Sequence, residues 1–340
     1  MTKRLGIMTG GGDCPGLNAA IRAAAKTAIR RGYQVIGIMD GWRGLVDNQV
    51  MVLNDINTSA IIDRGGTILG TSRFSPFSTE EGVKQVFDSF KQQQLDALVV
   101  LGGEGTLSAT ARLYQAGLPV IGIPKTIDND IRETDFSIGF QTAVQIATDA
   151  LDRLRSTAES HHRVMLLEVM GHKTGWIATY SGLANGADAI LIPELPLDDA
   201  RLDELCQMIK HRDEKGKRFS IVVVAEGIEL PPVTVQTCLA GQTLHGTGNS
   251  IGAIIESKTG LETRVSALGY VQRGGTPVAY DRSLATSFGV KAVDLVDAKR
   301  FGEMTALRQN KITSVPLAKV LGGLKTVDLN VYKVAEIFFG

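Results

Sequence analysis

"RLGIMTGGGDCPGLNAAIRAAAKTA", residues 4–28, contains a strand, a turn and a helix in one pass. The apolar run at 4–9 reads as a buried strand, and "GGGDCPG" (10–16) stops it. Leu17, Ala20, Ile21, Ala24 and Ala28 then recur at helical spacing. The strand pattern returns in "YQVIGIM" (33–39), "LDALVVLGG" (95–103), "LPVIGIP" (118–124), "RVMLLEVMG" (163–171), "DAILIP" (188–193) and "SIVVVAEG" (220–227). Between them, Phe140, Val144, Ala147, Leu151 and Leu154 mark another helical face. Near-continuous apolar strands alternating with amphipathic helices predict mainly parallel sheets covered on both faces. Ligands then bind beyond the carboxyl ends of the strands.

Composition sets the outer bounds. A chain of 340 residues, 44% hydrophobic with 38 glycines, fits an α/β enzyme of about two domains. Basic and acidic residues balance at 36 each, so no global field recruits nucleic acid or an acidic membrane. Cys14, Cys206 and Cys238 are far apart and form no C-x-x-C, which fits free thiols in a reducing cytoplasm. No apolar run approaches the roughly 20 residues of a membrane span. The expectation is a cytoplasmic protein with no nucleic-acid or membrane partner.

The chemistry is concentrated at strand ends. In "TGGGDCPGLN" (9–18) glycines let backbone N–H groups approach an anion at a helix N-terminus. The dinucleotide fingerprint fails, because Pro15 stands where the last glycine of G-x-G-x-x-G belongs, although Asp40 closes the second strand as a ribose-binding acid could. "LGGEGT" (101–106) places Glu104 between glycines, which makes sense beside phosphates when a divalent cation lies between. "PKTIDND" (124–130) ends a buried strand with Lys125, Thr126, Asp128 and Asp130; a carboxylate there can take a proton from an attacking hydroxyl or hold Mg²⁺. Arg73, Arg163, Arg264 and Arg273 fall at strand ends or loops, where guanidinium forks suit a doubly phosphorylated ligand. "GHKTG" (171–175) lacks the first P-loop glycine, since Leu166 holds that position. "KHRDEKGKR" (210–218) reads as a solvated helix end, and 230–248 as a turn-rich surface insertion or mobile loop.

The motifs "TGGGDCPGLNAAIR", "DGWRGL", "RGGTILGTSRF", "LGGEGT", "PKTIDNDI", "TDFSIGFQTA", "LLEVMGH", "AEG", "ETR" and "LGYVQRGGTPVAYDR" run in the order seen in the 6-phosphofructokinase family. The chain resembles that family over roughly residues 3–300. The resemblance implies two Rossmann-like three-layer α/β/α domains with mainly parallel sheets and the active site in the cleft between them. It implies a donor-binding domain of 1–138 plus about 272–322, and a sugar-phosphate domain of about 139–271 plus 323–340. The implied reaction is ATP-Mg²⁺ phosphorylation of the 1-hydroxyl of fructose 6-phosphate, the committed step of glycolysis.

Residue roles follow by position. Gly11, Arg73, Phe74, Gly102, Gly103, Glu104, Gly105 and Thr106 resemble the donor site, with Glu104 as the Mg²⁺-associated acid. Asp128 matches the base; Thr126, Asp130, Gly11 and Lys125 accompany it. Met170, Gly171, His172, Glu226, Tyr270 and Arg273 match sugar-phosphate contacts. Arg163 and Arg264 match arginines that reach a neighbouring subunit's site, implying a homo-oligomer, usually a tetramer. Arg22, Lys26, Arg155, Lys215 and Lys217 match a basic effector site.

Four positions depart from the pattern. Tyr270 replaces a histidine, a mild change, and His172 replaces an arginine, which puts the rate in doubt. Asp55 stands where an effector-site arginine is expected. Lys125 is typical of pyrophosphate-dependent members, whereas Gly105 is typical of ATP-dependent ones. An aspartate at 105 would repel a nucleotide's α-phosphate and glycine leaves room, so ATP is the expected donor. The alternatives are pyrophosphate as donor and a catalytically weak regulatory protein that binds sugar phosphate or nucleotide. NAD and lipid kinases share a G-G-[DE]-G-T loop but lack "PKTIDND" and "QRGGTP", and a dehydrogenase lacks support.

Overall fold

The computed structural model describes residues 2–231 and 246–340. The chain divides into two compact units, Met1–Thr142 with Arg273–Leu324, and Ala143–Gln272 with Lys325–Gly340. Residues 232–245, most of the turn-rich stretch, lie outside the described residues, as does Cys238.

The first unit opens with β1 (Arg4–Gly10), α1 (Leu17–Arg30), β2 (Gln34–Ile38), α2 (Gly41–Val46) and β3 (Val50–Leu53). It continues through α3 (Gly82–Gln92), β4 (Ala97–Gly102), α4 (Glu104–Gln115) and β5 (Val120–Pro124). The helix α5 (Phe140–His161) follows and belongs to the second unit from Ala143 on. Among the described residues, the sheet of this unit has seven strands in the order β11-β10-β5-β4-β1-β2-β3, where β10 is Glu303–Arg308 and β11 is Lys311–Pro316. The inner strands run parallel, and the two edges, β2–β3 and β10–β11, are antiparallel. Strands β1, β4 and β5 are buried along nearly their whole length, as their unbroken apolar runs require. Met8, Ile36, Ile38, Leu98, Val100 and Val120 fill one side of this core. Each contributes about 1.5–3 kcal/mol of apolar burial.

In the second unit β6 (Val164–Val169), α6 (Trp176–Asn185), β7 (Ala189–Leu191), α7 (Asp199–Glu214), β8 (Ser220–Ala225), α8 (Thr247–Thr259) and β9 (Thr263–Ala267) build a parallel sheet of order β7-β8-β6-β9. Its core gathers Leu166, Leu202, Val222, Val224, Ile251 and Ile254. Two further helices complete the chain: α9 (Ala279–Asp297) in the first unit and α10 (Leu329–Glu336) in the second.

The basic run 210–218 covers the end of α7 and the turn after it; it is solvated as expected except at Arg212, which is buried. The second strand stops at Ile38, before Asp40, which sits in the left-handed region at the start of α2.

Candidate active site

In the first unit, register decides which loops meet. Gly10 of β1 lies opposite Gly102 of β4, and Gly102 lies opposite Pro124 of β5. The three polar stretches "GGGD", "GEGT" and "KTIDND" therefore leave the sheet side by side, where the strand order switches from β1–β2 to β4–β5. This is the place where open α/β sheets bind ligands.

Close packing shapes the glycine loops. A Cβ on Gly102 would meet the Thr106 side chain at 2.4 Å, so only glycine lets α4 start directly above the strand. Gly11 has φ 78, a left-handed turn that favours glycine. Its N–H donates to the Ser72 carbonyl at 3.0 Å, and Thr71 Oγ1 donates to the Gly11 carbonyl at 2.5 Å. Those two bonds tie the loop carrying Arg73 and Phe74 to the glycine loop. Arg73 is exposed, and the Arg43 guanidinium lies 5.7 Å from the Phe74 ring centre.

Residues 124–130 are all buried. Thr126 Oγ1 donates to Asp128 Oδ2 at 3.2 Å and accepts the Asp128 N–H at 3.1 Å, which fixes the carboxylate above the strand end. Asn129 turns the loop at φ 51. Its Oδ1 accepts the Ser137 N–H at 3.0 Å, and its Nδ2 donates to the Asp135 carbonyl at 3.3 Å. Sequence reasoning passed over Asn129; an Asx residue between two aspartates is a turn signal that points to it.

Lys125 is only 2% exposed, and its ammonium donates to the Gly12 carbonyl. Burial pushes this amine below its usual range; the Arg273 guanidinium adds to that, while Asp128 and Asp13 work against it. Arg273 donates to the Asp13 carbonyl at 3.2 Å. Arg273 thus belongs to the rim of the glycine loop. Asp13 was not singled out in the sequence, although its place inside "GGGDCPG" is the available signal.

Glu104 is the first residue of α4, and its Oε1 accepts the Ser108 hydroxyl at 2.7 Å. Gly105 is exposed, and a Cβ built there meets nothing within 4 Å. Among the described residues no three His, Cys, Asp or Glu side chains form a metal cluster. A lone carboxylate beside phosphate loops fits Mg²⁺, which is commonly held by one or two carboxylates plus substrate phosphates.

In the second unit, β6 leads into Met170, Gly171 and His172. The segment is a turn and not extended backbone. His172 has φ 55, and the Thr174 N–H closes a turn on the Gly171 carbonyl at 2.9 Å. His172 and Lys173 are both exposed. Glu226, just after β8, accepts the His172 N–H at 2.9 Å, so it holds this turn. Glu168, unremarked in the sequence, accepts the Gly248 N–H at the start of α8. Arg163 and Arg264 converge on Glu262, Arg163 at 2.7 Å, and hold its carboxyl below the usual range. Tyr270 is 75% exposed.

Among the effector candidates Lys26, Arg155 and Lys217 are engaged locally, Lys215 is exposed, and Arg22 is half-buried with its Nε lacking a hydrogen-bond partner. Lys26 donates to Asp55 Oδ1 at 2.7 Å and to Ser59 Oγ at 3.1 Å, and Arg22 lies on the same helix. In the second unit Arg155 binds the Asn185 carbonyl at 2.7 Å, Lys217 binds the Gly340 carbonyl at 2.8 Å, and Lys215 is exposed.

A profile described as phosphofructokinase matches residues 4–296. The chain belongs to the phosphofructokinase family. An ATP-dependent 6-phosphofructokinase from Spirochaeta thermophila is 47% identical, over 96% of this chain and 93% of that protein. A pyrophosphate–fructose 6-phosphate 1-phosphotransferase from Amycolatopsis methanolica is 46% identical, over 99% of this chain and all of that protein. The crystal structure of Pichia pastoris phosphofructokinase in the T-state superposes with a TM-score of 0.85 at 32% identity. That match covers 99% of this chain, which spans only 36% of the Pichia chain. Phosphofructokinases named for either donor are therefore about equally similar to this one, and the donor question returns to individual residues.

Proposed function

We propose that this chain transfers the terminal phosphoryl group of ATP to the 1-hydroxyl of fructose 6-phosphate, with Asp128 as the base. One observation carries the reading: the buried Asp128 carboxylate, oriented by Thr126, stands at a strand end in register with two glycine-rich loops. A phosphoryl donor seated on those loops lies along the row of strand ends from Asp128. Phosphoryl transfer needs mostly positioning and charge stabilisation, with a carboxylate to accept the hydroxyl proton. Gly11, Arg73, Phe74 and residues 102–106 hold the donor; Thr126 and Asp130 flank the base. Glu104 holds Mg²⁺, which neutralises charge on the donor phosphates when bound. Met170, Gly171, His172, Glu226, Tyr270 and Arg273 contact the sugar phosphate. Arg163 and Arg264 serve a neighbouring subunit in a homotetramer, and the enzyme works in the cytoplasm. No helix among the described residues is long and apolar enough to cross a membrane.

Two features favour ATP over pyrophosphate. Gly105 faces open space that a nucleotide's inner phosphate can use. A cleft of about 560 Å³ lined by Arg43, Asp47, Phe74, Thr79 and Glu81 gives room for a base, which pyrophosphate does not need. The rival donor is supported by Lys125 and by the Amycolatopsis relative. Initial rates with Mg²⁺, fructose 6-phosphate and either ATP or pyrophosphate decide, with Asp128→Asn as control. The expected result is a rate with ATP, reduced about 10²–10⁴-fold in the variant. A rate with pyrophosphate alone would reject the ATP assignment. No rate with either donor would leave a binding role.

A further inference from the structure

We propose that Asp281 is a positioning residue for phosphoryl transfer, pinning the strap that holds Asp128 in place. The proposal rests on Asp128 being the base. Asp281 lies in the first turn of α9 and is fully buried. Its Oδ1 accepts the Gly139 N–H at 3.0 Å, and its Oδ2 accepts the Thr142 N–H at 2.8 Å and the Thr142 hydroxyl at 2.6 Å. The carboxylate therefore satisfies backbone donors at the start of α5, where a negative charge is favoured. Burial pushes its carboxyl above the usual carboxylate range, and these three donors offset part of that shift.

The pinned segment continues straight into the catalytic loop. Ile138 pairs with Lys125 as an isolated bridge: its N–H donates to the Pro124 carbonyl and its carbonyl accepts the Thr126 N–H, both at 3.2 Å. Ser137 Oγ donates to the Thr126 carbonyl at 2.7 Å, and its N–H reaches Asn129 Oδ1 at 3.0 Å. Residues 137 and 138 thus grip the chain on both sides of Asp128. Behind the strap, α9 is set hard against α1, where a Cβ on Gly289 would meet the Ala20 carbonyl at 2.6 Å. Asp281 therefore transmits the fixed position of α9 to a loop 150 residues earlier in the chain. Shifts of about 1 Å at a reacting group can cost on the order of 100-fold in rate.

The test is a double-mutant cycle on the full-length enzyme, with kcat expressed per folded molecule. Asp281→Asn should lower kcat about 10–100-fold, leaving KM for fructose 6-phosphate within about threefold. Thr142→Val, which keeps the carboxylate and removes one of its donors, should lower kcat less, and Thr142→Ser should restore it. On an Asp128→Asn background, Asp281→Asn should add no more than about a twofold loss, because both changes remove the same contribution. A purely structural role would instead multiply the two losses. Multiplied losses, or a kcat within twofold of the parent in folded Asp281→Asn, would overturn the proposal. If Asp281→Asn does not fold, equal rates for Thr142→Val and Thr142→Ser would overturn it. A full rate in Asp128→Asn alone would reject the base itself, and the positioning role with it.

Discussion

The ammonium of Lys125 is spent on the carbonyl of Gly12, 113 residues away in the chain. A buried lysine held this way is a strut for the glycine loop more than a free phosphate ligand. It keeps Gly12 against β5 while Gly11 turns through its left-handed conformation. The donor question then separates from Lys125. In Lys125→Met, the ratio of kcat/KM for ATP to that for pyrophosphate should change less than about threefold, while both values fall as the loop loosens. Parallel initial-rate series with the two donors measure this. A swing of the ratio by tenfold or more would restore Lys125 as the donor determinant.

The same burial makes a pH prediction. The lysine's pKa in the folded state is lowered, so between that value and about 10.5 the unfolded chain binds more protons than the folded one. Stability from this group therefore rises with pH across that window; the penalty is complete below the folded value and gone above the unfolded one. Melting temperature between about pH 8 and pH 10.5 should carry an upward component in the parent that Lys125→Met lacks. Equal slopes in parent and variant would remove the claim that this amine is shifted.

Gly105 is where donor choice is predicted to lie. A side chain there enters open space in the first turn of α4. An aspartate about 5 Å from a nucleotide's inner phosphate would repel it by about 3 kcal/mol at an effective dielectric of 20, roughly a hundredfold in affinity. Gly105→Asp should lower kcat/KM for ATP by that order and spare any pyrophosphate activity. Since the position is exposed, the fold should survive, and circular dichroism with thermal melts checks this.

Much of this site was legible because its strands are inner and parallel. "LDALVVLGG" and "LPVIGIP" are buried on both faces, so hydrophobicity alone located their ends and the loops beyond them. The edge pair "EMTALR" and "KITSVP", the short β3 and the strand "TRVSA" escaped the same reading. Each keeps polar or half-exposed residues that break the apolar run. The links from Lys125 to Gly12 and from Asp281 to Thr142 could not be read either. They join residues more than a hundred apart, and no local pattern encodes which carbonyl or helix end a buried charge will find.

In the second unit, Asp188 and Arg212 form a buried pair at 2.7 Å, with side-chain exposures of 12% and 8%. Asp188 also accepts the Ile221 N–H, and Arg212 also donates to Ser220 Oγ. Removing one partner strands the other charge. Arg212→Met should destabilise the protein by about 3–5 kcal/mol, and pairing it with Asp188→Asn should recover a good part of that. Denaturant unfolding of the single and double variants provides the comparison; an additive double variant would mean the two groups do not act as a pair.

Lys26 meets a carboxylate where the family pattern expects an arginine. Asp55 sits 2.7 Å from the Lys26 ammonium, which holds the Asp55 carboxyl below its usual range. A lysine already paired offers less to an anionic effector, and Asp55 adds repulsion. The response to ADP or phosphoenolpyruvate should therefore be weak in the parent. Asp55→Ala releases the lysine and removes the negative charge together. The half-saturating effector concentration should then fall by about three- to tenfold, and the gain should shrink as salt is added, since the pair is exposed. Parent kinetics that already show strong activation and inhibition, unaltered by Asp55→Ala, would mean that anions are bound without Lys26.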